Sequence, residues 1–145
     1  MTKGTRGVST TARAGRYGAI ADYHRQADGE TCVIAMIESR AGLEALAEII
    51  EVEGIDGVLF GPQDLAADMG FLAQPSAPAV VQAIELGVAL VLSKGRYPGV
   101  AVGTDEAARQ WAQRGARFVT CGSDVSILAR GAEALARRVK GGGPA

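Results

Sequence analysis

The chain has 145 residues, of which 48% are hydrophobic and 21% charged, so it can form one folded domain and is not a disordered segment. Its formal net charge of −1 excludes the strongly basic surface that binds nucleic acid or an anionic membrane. No apolar window is long enough to predict a transmembrane helix, and the polar start of the chain predicts no export signal.

The two cysteines, Cys32 and Cys121, each lie inside a predicted strand and lack the spacing of a metal site. Isolated cysteines of this kind favour buried thiols in a reducing compartment over a disulfide. We therefore expect two small core residues in a cytoplasmic protein.

The first 18 residues (1–18) are basic and rich in glycine, and they show no period. They indicate an arm or loop, and a basic segment that faces an anion is the alternative. Residues Ala19–Ala27 predict a short helix that stops at Asp28-Gly29. That helix contains His24, the only histidine, which we interpret as a solvated side chain and not as a general base.

Four strand-helix units are predicted within residues 31–139, followed by a tail over 140–145. The strands are predicted at Thr31–Ile37, Val58–Phe60, Gly99–Val102 and Phe118–Cys121. The helices are predicted at Ala41–Glu51, Ala79–Lys94, Glu106–Arg114 and Ser126–Val139, with a helical turn from Asp64 to Met69-Gly70. The helix Ala79–Lys94 is apolar nearly all round, which indicates deep burial or an oligomer contact.

This alternation predicts an α/β fold with parallel strands and right-handed crossovers, in a single domain over residues 1–145. The first strand is apolar on both faces, as expected for a strand covered on both sides. Four units fit either half of a (β/α)8 barrel or a small open doubly wound sheet, and the pattern does not separate the two.

Two carboxylates, Glu38 and Asp64, each follow a predicted strand and stand 26 positions apart, the length of one repeat. Parallel neighbours lie about 4.8 Å apart, so carboxylates at their carboxyl ends can share a hard cation that takes oxygen ligands at roughly 2.0–2.6 Å. The alternative is that both residues cap helix starts. The spacing alone supports the two interpretations about equally.

Several motifs together resemble the HpcH/HpaI aldolase/citrate lyase family. The main ones are Ala35-Met-Ile-Glu38, Val52-Glu-Gly-Ile-Asp-Gly-Val58, Gly61-Pro-Gln-Asp-Leu65 and Met69-Gly70. Weaker similarity at Arg6-Gly7, Ala12-Arg13-Ala14, Tyr17-Gly18, Arg114–Val119 and Gly122–Asp124 extends the resemblance over most of the chain.

The resemblance implies a metal-dependent lyase on a (β/α)8 TIM barrel, which cleaves 4-hydroxy-2-oxo acids to pyruvate and an aldehyde. It implies Glu38 and Asp64 as ligands of a divalent Mg, Mn or Co ion. It implies that the backbone N–H of Gln63 binds the substrate carboxylate. Met36 stands where the family has a substrate-contacting glutamine, and methionine cannot donate that hydrogen bond.

The resemblance also implies that this chain corresponds to the C-terminal half of the barrel. The family's catalytic histidine and carboxylate-binding arginine precede the matched segments, His24 does not match that histidine, and we assign no catalytic residue here. A non-catalytic half-barrel, or a subunit that needs a partner half, is therefore the alternative function. An acyl-CoA lyase relative is a third. The resemblance further implies a homo-oligomer whose subunits exchange C-terminal elements.

Overall fold

The computed structural model describes residues 7–141, so the first six residues of the predicted arm and the last four of the predicted tail lie outside the described residues. The chain divides into two compact units, Met1–Cys32 and Val33–Ala145. Within the described residues, no helix is both long and apolar enough to cross a membrane.

The first unit contains a 3₁₀ helix at Arg13–Gly18 and helix α1 at Tyr23–Glu30. Helix α1 begins four residues later than predicted, because Asp22 immediately before it has a left-handed backbone with φ 55°. It also runs past the predicted stop at Asp28-Gly29. The hydroxyl of Thr31 donates a 2.7 Å hydrogen bond to the carbonyl of Ala27 and closes the last turn.

The described part of the second unit contains the four strands and six helices. The strands are Ile34–Ile37 (β1), Gly57–Phe60 (β2), Tyr97–Val102 (β3) and Phe118–Cys121 (β4). The helices are Arg40–Glu44 (α2), Leu46–Ile49 (α3), Pro62–Asp68 (α4), Pro78–Ser93 (α5), Asp105–Gln113 (α6) and Asp124–Val139 (α7).

All four strands pair in parallel in the order β1-β2-β3-β4. Each crossover therefore moves to the next strand in the same direction across the sheet. Because such crossovers share one handedness, all of the connecting helices lie on the same face of the sheet. A doubly wound sheet instead reverses direction and has helices on both faces. The α/β prediction is confirmed, and the strand order favours half of a (β/α)8 barrel over the doubly wound alternative.

One row of apolar side chains crosses the sheet on its helix-covered face. The register pairs Ile37 with Phe60, Phe60 with Val100, and Val100 with Val119. The first three of these side chains are at most 2% exposed. Apolar residues from α3, α4, α5 and α6 complete this core: Leu46, Leu65, Ala66, Val80, Ile84, Val88, Val91 and Trp111.

The opposite face of the sheet, which we call the open face, is uncovered within the described chain. Ile34, Met36 and Tyr97 lie on it and are 38%, 53% and 61% exposed. The prediction that the first strand is covered on both sides is therefore not met by this chain. Small residues make room for rings on this face, because a Cβ at Gly99 would overlap the ring of Phe118.

The predicted helix Ala41–Glu51 is two short helices, because Ala45 leaves helical geometry with φ −84° and ψ 0°. Gly42 lowers helix propensity in the first of them. Helix α5 follows the prediction closely and buries its inner stripe, while Leu86 on its other side is 67% exposed.

Both cysteines are exposed, so the prediction of buried thiols is wrong. Cys32 precedes β1, which begins only at Ile34, and therefore belongs to no strand. Cys121 is the last residue of β4, which among the described strands pairs with β3 alone. Whether a thiol is buried depends on which elements pack over it, and a short apolar run in the sequence does not reveal this.

Gly87 in the middle of α5 tests how tightly the core is packed. A Cβ there would lie 2.6 Å from Cζ of Phe60, a fully buried ring. We expect Gly87→Ala to lower the free energy of unfolding by about 1–3 kcal/mol, because overpacking exceeds the gain in helix propensity.

Gly131 in α7 is the matched control, because a Cβ there meets nothing within 4 Å. Gly131→Ala should leave the free energy of unfolding unchanged or raise it by up to about 1 kcal/mol. Urea unfolding of the two variants measures the difference. Equal stability of both would contradict the close contact between Gly87 and Phe60.

Candidate functional site

The carboxyl ends of β1 and β2 lie level with each other. Ile37 pairs with Phe60, and the N–H of Gly61 donates a 3.0 Å hydrogen bond to the carbonyl of Ile37. Glu38 is the first residue after β1. Asp64 lies three residues beyond Gly61, in the first turn of α4, and so not at the strand end itself.

Glycine at position 61 leaves space beside the Glu38 side chain. A Cβ at this position would lie 3.1 Å from Cβ and 3.2 Å from Oε2 of Glu38. The Glu38 carboxylate therefore leans over the end of β2, towards the segment from which α4 begins. Gly61 thus creates a small cradle between the two segments that hold the predicted ligands.

Neither carboxylate is used to cap a helix. The cap of α2 is Ser39, whose hydroxyl accepts a 3.1 Å hydrogen bond from the N–H of Gly42. The cap position of α4 is Gly61, which has no side chain. The interpretation of Glu38 and Asp64 as a capping pair is therefore wrong.

Both carboxylates are exposed, and within residues 7–141 neither has a hydrogen-bond or ion-pair partner. Nearby acids differ in this respect. Asp56 accepts a 2.7 Å hydrogen bond from the N–H of Val33, and Asp68 accepts one of 2.7 Å from the N–H of Arg40. Glu38 and Asp64 are thus available to a ligand.

The donor set fits a hard divalent cation. Glu38 and Asp64 supply carboxylate oxygens, and the cradle at Gly61 leaves one of these carboxylates unobstructed. In the described part of the chain, no cluster of three or more His, Cys, Asp or Glu side chains is placed to hold a metal. Magnesium commonly uses one or two protein carboxylates and completes its shell with water and substrate oxygens.

Met36 and Glu38 lie on the same face of β1, because side chains alternate along a strand and Ile37 between them is buried. This is the open face. Met36 thus occupies the side of the strand on which a ligand of Glu38 would lie. Its predicted place in the substrate site stays a prediction.

Gln63 lines a cavity of about 750 Å³ at the carboxyl ends of β3 and β4. The residues around this cavity include two arginines, Arg114 and Arg130, and no acid. Nη1 of Arg130 lies 3.5 Å from the carbonyl of Gly103, and Arg114 pairs with Glu85 at 3.2 Å. Glu38 and Asp64 do not line this cavity.

The sequence analysis did not identify this cavity. The available signal was the pair of glycine-hydroxyl turns, Gly103-Thr104 and Gly122-Ser123, that end β3 and β4 and contribute to its wall. Thr104 and Ser123 use their hydroxyls to cap α6 and α7, with acceptor distances of 3.2 Å in each case.

Two carboxyl groups outside the predicted ligand pair have shifted acidity. The backbone N–H of Arg40, which donates to the Asp68 carboxylate, lowers the pKa of that carboxyl below its usual value. Lys94 donates a 2.7 Å hydrogen bond to Glu51 and likewise lowers the pKa of that carboxyl. Both acids therefore remain ionised at neutral pH and serve structural contacts.

Comparison with known proteins supports one family. The family model described as HpcH/HpaI aldolase/citrate lyase matches residues 2–131. A 4-hydroxy-2-oxo-heptane-1,7-dioate aldolase of Salmonella arizonae is 46% identical over 136 residues, which are 93% of this chain and 52% of that protein. The chain thus spans about half the length of the curated relatives it matches.

Solved structures agree. A HpcH/HpaI aldolase/citrate lyase family protein from Burkholderia cenocepacia is 33% identical with a TM-score of 0.83, covering 93% of this chain and 52% of that one. A HpcH/HpaI aldolase from Desulfitobacterium hafniense is 27% identical with a TM-score of 0.78, covering 94% and 54%.

A citrate lyase beta subunit from M. tuberculosis, complexed with oxaloacetate and magnesium, is 26% identical with a TM-score of 0.54, covering 63% of this chain and 49% of that one. The family match, the shared identity and the common fold agree with the motifs around Glu38 and Asp64. This chain belongs to the HpcH/HpaI aldolase/citrate lyase family.

Proposed function

We propose that this chain provides the metal half-site of a carbon–carbon lyase that cleaves 4-hydroxy-2-oxo acids to pyruvate and an aldehyde. The observation that carries the proposal is the pair Glu38 and Asp64, which lie just beyond the aligned ends of two adjacent parallel strands. Both carboxylates are exposed and have no partner among the described residues 7–141. Similarity to the Salmonella aldolase supports the reaction class.

Glu38 and Asp64 would hold a divalent cation, which would supply Lewis-acid stabilisation of the negative charge that develops on the 2-oxo acid. The N–H of Gln63 lies in the first turn of α4, where backbone donors lack intrahelical acceptors, and it binds the substrate carboxylate. Met36 adds an apolar contact on the open face, where the family glutamine would donate a hydrogen bond.

Cleavage breaks the bond between C3 and C4 of the substrate. Its electron pair stays with C3 as the pyruvate enolate, the 4-hydroxyl loses a proton as the aldehyde carbonyl forms, and C3 then gains a proton. We assign neither proton transfer to a residue of this chain. The groups that move these protons are proposed to come from a complementary half of the barrel.

Asp64→Asn and Glu38→Gln test the half-site. Each should weaken Mn²⁺ binding to the full chain by more than about 100-fold. Changes to residues that only support the ligands cost up to about 100-fold in metal affinity, and loss of a ligand itself should cost more. Isothermal titration calorimetry measures the affinity. Asp105→Asn is the control, because Asp105 lies in the first turn of α6 and is already paired with Arg109 at 2.8 Å. This variant should bind Mn²⁺ with unchanged affinity. Unchanged affinity in Asp64→Asn would reject the half-site.

The purified chain, supplied with Mn²⁺ and a 4-hydroxy-2-oxo acid, should release no pyruvate, because no proton acceptor is assigned within it. A coupled assay with lactate dehydrogenase and NADH detects pyruvate directly. Turnover by the chain alone would show that a residue within these 145 performs the proton transfers. Such a result would contradict the assignment of that step to a complementary half.

A second proposal is that the chain associates with itself through α7. The specific observation is a set of exposed apolar side chains along this helix. Four large side chains lie along this helix, separated by three, seven and four residues, and are 55–79% exposed: Val125, Leu128, Leu135 and Val139. With Ala132 they form a seam of the kind that packs against another helix. The proposed occupant is α7 of a second copy of this chain.

Leu128→Glu should shift the chain from dimer to monomer, because it places a charge in the centre of the α7 seam. Ala134→Glu is the control, since Ala134 is exposed on a different side of the same helix. Sedimentation velocity at matched concentrations measures the difference. A dimer that persists in Leu128→Glu, or its loss in both variants, would contradict association through this seam.

A further inference from the structure

Asp68, at the end of α4, contacts Arg40, at the start of α2, and so joins the two segments that hold the proposed ligands. Oδ2 of Asp68 accepts a 2.7 Å hydrogen bond from the backbone N–H of Arg40, and it lies 3.4 Å from Nε of the same residue. Arg40 is the first residue of α2 and Asp68 the last of α4, 28 positions apart.

The contact lies close to both proposed ligands in the chain. Arg40 follows Glu38 by two residues. Asp68 follows Asp64 by four, so the two aspartates lie on the same side of α4, one turn apart. The side of α4 that presents Asp64 is therefore the side anchored to the backbone that follows Glu38.

Asp68 also binds a backbone donor at the start of α2. Ser39 satisfies the N–H of Gly42 with its hydroxyl and that of Leu43 with its carbonyl, and Asp68 satisfies that of Arg40. Helix starts carry unsatisfied donors and favour negative charge. Asp68 thus acts as a cap supplied by another helix, which fixes the backbone beside Glu38.

Stability alone gives little reason for the charge. The side chains of Arg40 and Asp68 are 67% and 42% exposed, and ion pairs with such exposure contribute little to folding. The hydrogen bond to the backbone is different, because it restrains the position of the chain at the end of β1. Its main consequence is geometric.

We propose that Asp68 is a positioning residue, whose hydrogen bond to the backbone of Arg40 holds Glu38 and Asp64 in register for a shared divalent cation. The inference rests on the proposed metal half-site and names the element that assembles it. Asp68 itself binds no metal. Support of this kind outside the ligand shell typically changes metal affinity about 10–100-fold.

Four variants of the full chain separate the backbone hydrogen bond from the ion pair. Asp68→Ala removes both, and Asp68→Asn keeps a neutral acceptor. Arg40→Ala keeps the N–H donor, and Arg40→Pro removes it. Proline is tolerated at the first position of a helix, and the extended backbone of Ser39, with φ −144° and ψ 161°, suits a residue that precedes proline.

The expected order of Mn²⁺ affinities follows from the backbone hydrogen bond. Asp68→Ala and Arg40→Pro should each bind at least about tenfold more weakly, and their combination no more weakly than either alone, since both remove one interaction. Arg40→Ala should stay within about twofold, and Asp68→Asn should fall between these extremes. Calorimetry gives the affinities and circular dichroism confirms folding.

Glu51→Ala is the matched control. Glu51 is an exposed carboxylate that accepts a 2.7 Å hydrogen bond from Lys94, joins two segments and has a lowered pKa, but it lies before β2 and so at the opposite end of the strands. Its removal should leave Mn²⁺ affinity within about twofold. An equal loss in Glu51→Ala would make the effect general and overturn the positioning role.

Wild-type Mn²⁺ affinity in folded Asp68→Ala and Arg40→Pro, together with its loss in Asp64→Asn, would overturn the positioning role and leave the metal half-site intact. Absence of Mn²⁺ binding to the unsubstituted chain would overturn both. If Asp68→Ala does not fold, the comparison of Arg40→Pro with Arg40→Ala decides, because these two differ in the backbone donor.

Discussion

The register between β1 and β2 is the constraint on which the candidate site depends. Ile37 pairs with Phe60 and is 2% exposed, so its contact with the core determines which face of β1 is buried. Since side chains alternate, Glu38 must then lie on the open face. A slip of one residue in the register would move Ile37 to the open face and Glu38 to the buried face. Glycine at position 61 completes the arrangement, because any side chain there would meet the Glu38 carboxylate.

Helix α4 orients the second carboxylate by the same means. Leu65 and Ala66 are fully buried, whereas Gln63 and Asp64 in its first turn are exposed. Burial of one leucine contributes roughly 1.5–3 kcal/mol, which is enough to fix the rotation of a helix of seven residues. The core thus sets where Asp64 lies, although Asp64 contributes nothing to the core.

The sequence predicted the four strands and the longer helices because each has a local signal, such as the apolar run ending at Phe60 followed by Gly61. The strand order required the structure, since half a barrel and a doubly wound sheet share that signal. The break at Ala45 and the late start of α1 after Asp22 depend on single backbone angles that no apolar period encodes. Exposure of Cys121 follows from its place in an edge strand. That Glu38 and Asp64 have no partner in the described part of the chain depends on which side chains the fold brings near them.

The open face bears directly on chemistry. Met36 and Glu38 share it, so whatever covers that face also surrounds the proposed metal and substrate. Charge interactions strengthen when water is excluded, so a cation that the two carboxylates would hold should attract an anionic substrate less strongly in the exposed site than under a cover. A complementary half placed on this face would therefore supply more than proton-transfer groups: it would lower the local dielectric around the proposed ligands Glu38 and Asp64. Binding of that half and strength of the metal–substrate interaction are, on this reasoning, parts of one equilibrium.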